Sequence, residues 1–438
     1  MNGGSEFFIA LRYLLGRAKE GGRYLRGAAA GIALSLVPII VTLLVADGMI
    51  RGITDRYLEL GTGHLRIYDY RQDWESLDIL PPDMDREDIA GLPGIRGVWT
   101  ERQGLGVVMS VPSGGGAARP SIKAGATIRA VDPSFWTDEG SRRFLKTVAG
   151  RAELSGGAEV LLGEELARNI GARPGDMVFI MSVRTAPGGR SIPRTMPFTV
   201  AGLVSSGYRE LDALWCIMDY ESGLRLLAPE LSQTFMTVKI DDPYRNAGEA
   251  ARRVIRALGP GYRVYTWKDL QRAQYSSYES TRQILLFIMA LIVLVAAVNV
   301  SSATSMLVIE RQRDIAVLKA AGASPGAVSR IFLWASCLTG LSGAVPGAAL
   351  GLLIGRFINP IIHGLETLLT LVSGLSRTDP DPVRILDPGY YLEVIPVIID
   401  WPAALFIAFC TVLCSVLASW IPARRAGKLR PIALLRRF

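Results

Sequence analysis

ERQRDIAVLKAAGASPGAVSR, residues 310–330, is a charged island between two apolar runs that are each long enough to cross a bilayer. Its first half, 311–321, is dominated by Ala, Leu, Arg, Lys and Gln, good helix formers without a breaker among them. Gly322 supplies a stop. Ser324-Pro325 then reads as an N-cap followed by proline at the first position of a new helix. A short helix clamped between two spans is held at the membrane face. It is a handle through which another protein can push on both spans together.

Half of the 438 residues are apolar, too many for an ordinary soluble enzyme. Charge-free runs occur at 27–46, 283–309, 331–355 and 401–423, each reaching the ~20 residues a spanning helix needs. The net charge of +8 is distributed by topology. Arg12, Arg17, Lys19, Arg23 and Arg26 precede the first run, and Arg311, Arg313, Lys319 and Arg330 lie in the island. Arg424, Arg425, Lys428, Arg430, Arg436 and Arg437 follow the last run, whereas the 356–400 stretch holds only Arg356, Arg377 and Arg384. This positive-inside bias puts both termini and the island in the cytoplasm, and it explains the basic tail better than nucleic-acid binding does.

The expected fold is therefore an α-helical membrane protein with four transmembrane helices and a large α+β periplasmic domain, 47–282, between the first and second spans. Residues 1–26 read as a cytoplasmic amphipathic helix, with Phe7, Phe8, Leu11, Leu14, Leu15 and Ala18 at helical spacing. Within 47–282, strands are expected at 64–68, 95–101, 105–111, 121–131, 159–162, 177–182, 198–204, 235–240 and 262–266. Helices are expected at 85–92, 164–170, 220–227 and 244–258. The second span carries Asn299, Ser301, Ser302, Thr304 and Ser305, which should face other helices. In the third, Gly343, Gly347, Gly351 and Gly355 form overlapping GxxxG units for close helix packing, within the subunit or against a dimer mate. The 356–400 stretch, with Pro380, Pro382 and Pro388, reads as a periplasmic loop, and 424–438 as a cytoplasmic tail.

Catalytic signals are weak. Gly322-Ala-Ser-Pro-Gly326 fits G-x-S-x-G formally, but it follows a helix rather than a strand, and Ser324 is better read as a cap. His64 and His363 are the sole histidines, without zinc spacing. Asp83, Asp85, Glu87 and Asp88 lack EF-hand spacing and suit a helix N-terminus. Cys216 stands apart from Cys337, Cys410 and Cys414 in the spans, so no disulfide is expected in the exported domain. There is no P-loop motif; any ATP energy must come from another polypeptide.

Several stretches resemble a known family. Phe8-Ile-Ala-Leu-Arg-Tyr-Leu14, Gly163-Glu-Glu-Leu-Ala167 with Gly175-Asp176, and Pro193-Arg194 through Phe198, Gly202, Ser206-Gly207, Glu210 and Asp212 are three of them. Asp314-Ile-Ala-Val-Leu-Lys-Ala-Ala-Gly-Ala-Ser324 and Ile421-Pro-Ala-Arg-Arg-Ala426 with Pro431-Ile-Ala-Leu-Leu435 complete the set. Together they resemble the MacB/FtsX superfamily of ABC permeases, and within it the lipoprotein-releasing LolC/LolE type. One departure is Asp47-Gly48-Met49, where such permeases often carry Asn-Gly-Phe.

The resemblance implies a permease subunit of a bacterial inner-membrane transporter without a catalytic site or cofactor of its own. ATP and Mg would be bound by a partner ATPase dimer. A second permease subunit of the same or a related chain, a periplasmic lipoprotein carrier, a triacylated lipoprotein and membrane lipids would be the other partners. It further implies that 310–330 is the coupling helix, with Arg313, Asp314, Leu318, Lys319 and Gly322 as ATPase-coupling residues. Residues 185–197 would be a carrier-binding hook, with Pro187, Gly189, Ile192, Pro193 and Arg194 at its tip. Leu44, Val45, Met49, Phe287, Ile288 and Leu291 are candidates for contact with the lipid anchor. The alternatives are an FtsX-like scaffold signalling to periplasmic hydrolases and a MacB-like export component.

Overall fold

The computed structural model describes residues 3–15, 22–69, 86–110, 122–185, 190–259, 261–374, 392, 394–397 and 399–429. Pro187, Gly189, Asp83, Asp85, Arg377, Arg384 and the tail from Arg430 onward lie outside them. The chain divides into two units, Met1–Gly48 with Ser277–Val383 and Ile395–Phe438, and Met49–Ser276 with Arg384–Val394.

The first unit is helical. Four helices are long and apolar enough to span a membrane, lying within Arg23–Thr62, Arg272–Glu310, Pro325–Arg356 and Trp401–Lys428. Along the third, every fourth residue is glycine and the first long helix closes on that ridge. A Cβ on Gly343 would stand 2.5 Å from Ala29 O, one on Gly347 2.8 Å from Ala33 Cα, and one on Gly351 2.9 Å from Ile40 Cβ. Gly355 likewise faces Leu44. The ridge thus packs within the chain, Gly343 and Gly347 against backbone and Gly351 and Gly355 against the side chains of Ile40 and Leu44. The second helix joins through hydroxyls: Thr304 Oγ1 lies 2.9 Å from Ser336 Oγ, and Ser301 donates to Ala418 O. Ser305 bonds its own helix, and Asn299 and Ser302 face outward rather than toward neighbouring helices. A correction also applies to 356–400. Its first part forms a helix, Ile358–Gly374, because Pro360 falls in the first turn, where a missing N–H costs nothing.

The second unit is built on one sheet of ten strands. These are β1 (Leu65–Asp69), β2 (Ile95–Ser110), β3 (Lys123–Val131), β4 (Lys146–Gly150) and β5 (Glu159–Gly163), then β6 (Met177–Thr185), β7 (Ser191–Ser205), β8 (Trp215–Asp219), β9 (Ser232–Ile240) and β10 (Tyr262–Thr266). β2, β3, β8, β5, β7 and β6 pair in turn, and β6 returns to β2, so six strands close on themselves. Val108, Ile128, Leu162, Ile180, Phe198 and Met218 pack in the resulting core. The first half of β2 pairs instead with β9, and β1 and β10 extend that side. Helix Ala247–Leu258 joins β9 to β10 and buries Ala250, Val254 and Leu258 with Ile67 and Val238.

The sequence reads two strands where β2 is one. Gly104 and Gly106 do not turn the chain; a Cβ on Gly106 would lie 2.4 Å from Ile128 Cδ1, so glycine there admits a neighbour. β8 is buried on both faces and runs parallel to β3, which removes the alternation by which a strand is recognised.

Replacing Gly347 by Val inserts side-chain atoms where the first helix already sits. The full-length chain should lose about 1–3 kcal/mol of stability, seen as a lower unfolding midpoint in detergent. Gly31→Ala, at a mid-helix position facing open space, should leave the midpoint unchanged or slightly raised.

Candidate functional site

The island folds as a helix, Gln312–Ala320, ended by Gly322 at φ +91°. Ala323 N donates to Leu318 O and Gly322 N to Lys319 O, the paired bonds of a Schellman stop. Ser324 then accepts from Ala327 N, and Pro325 opens the third long helix. Ile315 points inward, into a cluster with Ala10 and Tyr13 of the N-terminal helix Gly3–Leu15, Val328 and Phe332 of the third helix, and Ala423; Ala316 beside it is buried as well. Glu6 accepts from Arg330 Nε and Nη2, at 2.9 and 2.8 Å. Arg311 pairs with Asp314 and stacks over Tyr13.

The five coupling candidates separate by role. Lys319 Nζ donates to Gly427 O and Leu429 O, both at 2.6 Å, capping the end of helix Trp420–Lys428. Leu318 is half-buried against the cluster, and Asp314 is held by Arg311. Gly322 sets the stop. Arg313 is exposed, and so is Val317, one turn further along and 61% exposed. The sequence reading missed Val317; its i+4 spacing from Arg313 is the signal that could have found it. The outward face therefore includes Arg313, Val317, Ala320 and Ala321, with Glu310 and Arg330 also exposed, while Arg311 and Lys319 are turned toward the chain.

In the second unit, β6 and β7 run on together past the closed ring, Ser182↔Arg194 to Thr185↔Ser191. Val183, Ile192 and Pro193 are exposed there and Arg194 is half-buried; Pro187 and Gly189 fall outside the described residues. Thr199 N donates toward β5, through Ala158 O, and Val200 N toward the β6 side, through Asp176 O. By alternation, the missing N–H groups of Pro193 and Pro197 fall on the open edge, where proline blocks strand addition.

The candidate anchor residues are not gathered into one place. Leu44 is buried against Gly355, Met49 is buried in the other unit and Val45 is half-buried. Phe287, Ile288 and Leu291 stand out from the second helix, Phe287 by 66%.

A buried charge cluster in the second unit was not anticipated. The first helix runs on through Tyr57–Thr62, and its last carbonyls are taken by cations. Lys239 donates to Leu58 O and Glu59 O, Arg129 to Leu60 O, and Arg66 to Gly61 O and Thr62 O. Arg129 is also clasped by Glu101, with both side chains buried. His64 Nδ1 accepts from Ile240 N, leaving Nε2–H to donate to Glu59. Burial pushes the ring below the ordinary histidine range, outweighing the Glu59 carboxylate beside it. A polar cavity of about 560 Å³ opens on Glu59, His64, Asp138, Arg143 and Lys239. No group of ligating side chains suited to a metal occurs among the described residues.

Two of the sequence motifs meet in this unit for structural reasons. Arg209 pairs with Glu165, and a Cβ on Gly163 would strike Asp212 O at 2.0 Å. Asp212 is buried, accepting from Ser205 Oγ, Ser206 N and Ser206 Oγ. Burial raises its carboxyl pKa despite those bonds.

Four spanning-length helices and a mixed-sheet domain define a polytopic membrane protein. Residues 27–257 match the MacB-like periplasmic core domain, and 286–431 match the FtsX-like permease C-terminal family. The chain belongs to the MacB/FtsX superfamily and is an ABC transporter permease. It is 27% identical over 445 residues to the lipoprotein-releasing system transmembrane protein LolC of Neisseria meningitidis serogroup B, covering 98% of this chain and 99% of the relative. Similarity to LolC of Xylella fastidiosa is 27% over 443 residues, 98% of each. LolE of Haemophilus influenzae is 24% identical over 460 residues, again 98% of each.

Two outcomes follow. Gly322→Ala places a Cβ in the left-handed region at a cost of about 1–2 kcal/mol. Amide exchange across Gln312–Ala320 should accelerate about 5- to 30-fold, with Gly326→Ala, inside a helix, as an unaffected control. His64 bears on pH. Its folded pKa is depressed, so the unfolded chain binds the extra proton first, and stability falls as pH drops below about 6.5. Full-length chain melted between pH 7.5 and 5 should show that decline, and His64→Gln should flatten it.

Proposed function

We propose that this chain is the permease subunit of a transporter that extracts lipoproteins from a bacterial inner membrane and passes them to a periplasmic carrier. Both termini and the island face the cytoplasm, and 47–282 forms the periplasmic domain. The observation that carries this reading is the end-to-end likeness to relatives named as lipoprotein-releasing, at 98% or more of both lengths. The projecting β6–β7 ribbon supports it, offering Val183, Ile192 and Pro193 to an apolar partner.

Energetics require such a machine. Lipid chains are held by about 0.8 kcal/mol per buried methylene, so three of them do not leave a bilayer on a useful timescale. The chain itself supplies no nucleotide site; a separate ATPase dimer binds ATP and Mg and pushes on the island. Arg313 and Val317 meet it, and Gly322 holds the handle at its angle. Leu318, Lys319 and Asp314 support that face from behind by their packing and bonds. A second permease lies against the outward face of the second helix. Asn299 and Ser302 support this, because lipid would leave their polar groups without partners. Phe287, Ile288 and Leu291 share that helix and contact the acyl chains; Leu44, Val45 and Met49 act behind them through packing.

The test is reconstitution with ATPase, labelled lipoprotein and carrier. ATP-dependent transfer is expected from the intact chain. Val183→Asp with Ile192→Asp should cut transfer about tenfold, as loss of two apolar contacts predicts, while ATP hydrolysis persists. Val317→Asp should lower both. Absence of transfer by the intact assembly discredits the substrate.

A further inference from the structure

We propose that helix Ile358–Gly374 lies in the membrane–water interface, with its apolar side seated among phospholipid acyl chains. Its residues divide cleanly. Asn359, His363, Glu366, Thr367 and Thr370 share one side, and Ile361, Leu365, Leu368 and Leu369 the other. Burial departs from that of a helix on a soluble domain: part of the polar row is covered, His363 and Thr367 on it stay exposed, and the leucines opposite are uncovered. Asn359 is turned to the chain, exchanging two 3.0 Å bonds with the Ile395 backbone, and Glu366 and Thr370 are half-buried. Leu365, Leu368 and Leu371 are 48, 56 and 63% exposed. An aqueous setting would disfavour that arrangement; an apolar one favours it.

Position on the chain says which apolar medium. The helix follows the third spanning helix with only Phe357 between them. That spanning helix has 32 residues, about 48 Å at 1.5 Å per residue, already more than the ~30 Å hydrocarbon core. Ile358 therefore starts at or beyond the hydrocarbon boundary, and the polar row excludes a further crossing. The outward stripe is continuous across the junction. Leu350, Leu353 and Phe357 lead into Ile361, Leu365 and Leu368, all exposed and at helical spacing. Whatever covers the spanning helix there covers this one too, and for a spanning helix that is lipid. The fourth spanning-length helix begins at Trp401, exposed, a residue suited to the interfacial layer.

The test uses the full-length chain in phosphatidylethanolamine–phosphatidylglycerol vesicles, with the photo-crosslinker p-benzoylphenylalanine placed singly at Leu365, Leu368, Leu371 or His363. After irradiation, intact mass should show lipid adducts at the three leucine positions. Adduct yield there should exceed that at His363 by about fivefold, as expected of a buried apolar side against a wet polar one. Crosslinks to a second polypeptide at the leucine positions overturn the proposal in favour of a protein neighbour. No adduct at any of them overturns it in favour of water. Neither result depends on transport or on which substrate is carried.

Discussion

The structure of the helical unit depends on one junction, where Lys319 closes the end of helix Trp420–Lys428 and Gly427 lets that helix reach the third. A Cβ on Gly427 would stand 2.4 Å from both Pro325 O and Ser329 Oγ. The ammonium meets carbonyls left without helical partners, at the end of a helix whose dipole favours a cation. Around it, Ile315, Tyr13, Phe332 and Ala426 exclude water. The island is therefore a wedge held by the N-terminal helix, the third helix and the C-terminal helix at once. Displacing it must disturb its contacts with all three.

The second unit uses the same physics at the far end of the first helix. Its last turns carry carbonyls that would be orphaned, and Lys239, Arg129 and Arg66 take them. Each cation is itself held by the fold. Lys239 comes from β9, Arg129 from β3 and Arg66 from β1, so three strands grip one helix end. Asp55 accepts from Tyr244 and Arg56 donates to Ser206 O, extending that grip one turn back. Within the second unit, residues 55–62 and the sheet are thus joined by buried charge-assisted bonds rather than by apolar contact alone.

Legibility in the sequence followed from periodicity and punctuation. Gly322, Ser324 and Pro325 are punctuation that no other context explains, and the turn they specify is the one observed. The glycine row was legible as a packing ridge, but its partner was not. Choosing between a helix of the same chain and a dimer mate needs the positions of Ala29, Ala33 and Ile40 in space. β8 and the continuity of β2 were hidden because a strand buried on both sides lacks alternation, and Gly106 signals close approach and a turn equally well. The coupling residues were read as one set because they share a motif. Their side chains diverge because a helix facing a core on one side must commit Leu318 and Lys319 inward.

That divergence bears on what a partner docking on the island, as proposed above, would meet. Charges aimed at a partner would make docking depend on salt and on the partner's own charges. Here Arg311, Asp314, Lys319 and Arg330 are engaged within the chain. Glu310, Arg313 and Arg330 still reach solvent, beside Val317 and small alanines. Small side chains let another surface approach the helix backbone closely, and one projecting valine sets the register. Such a contact transmits compression well and has little conformational entropy to lose on docking. Stiffness in the island follows from the bonds by which Arg311, Lys319 and Arg330 are tied to the rest of the helical unit.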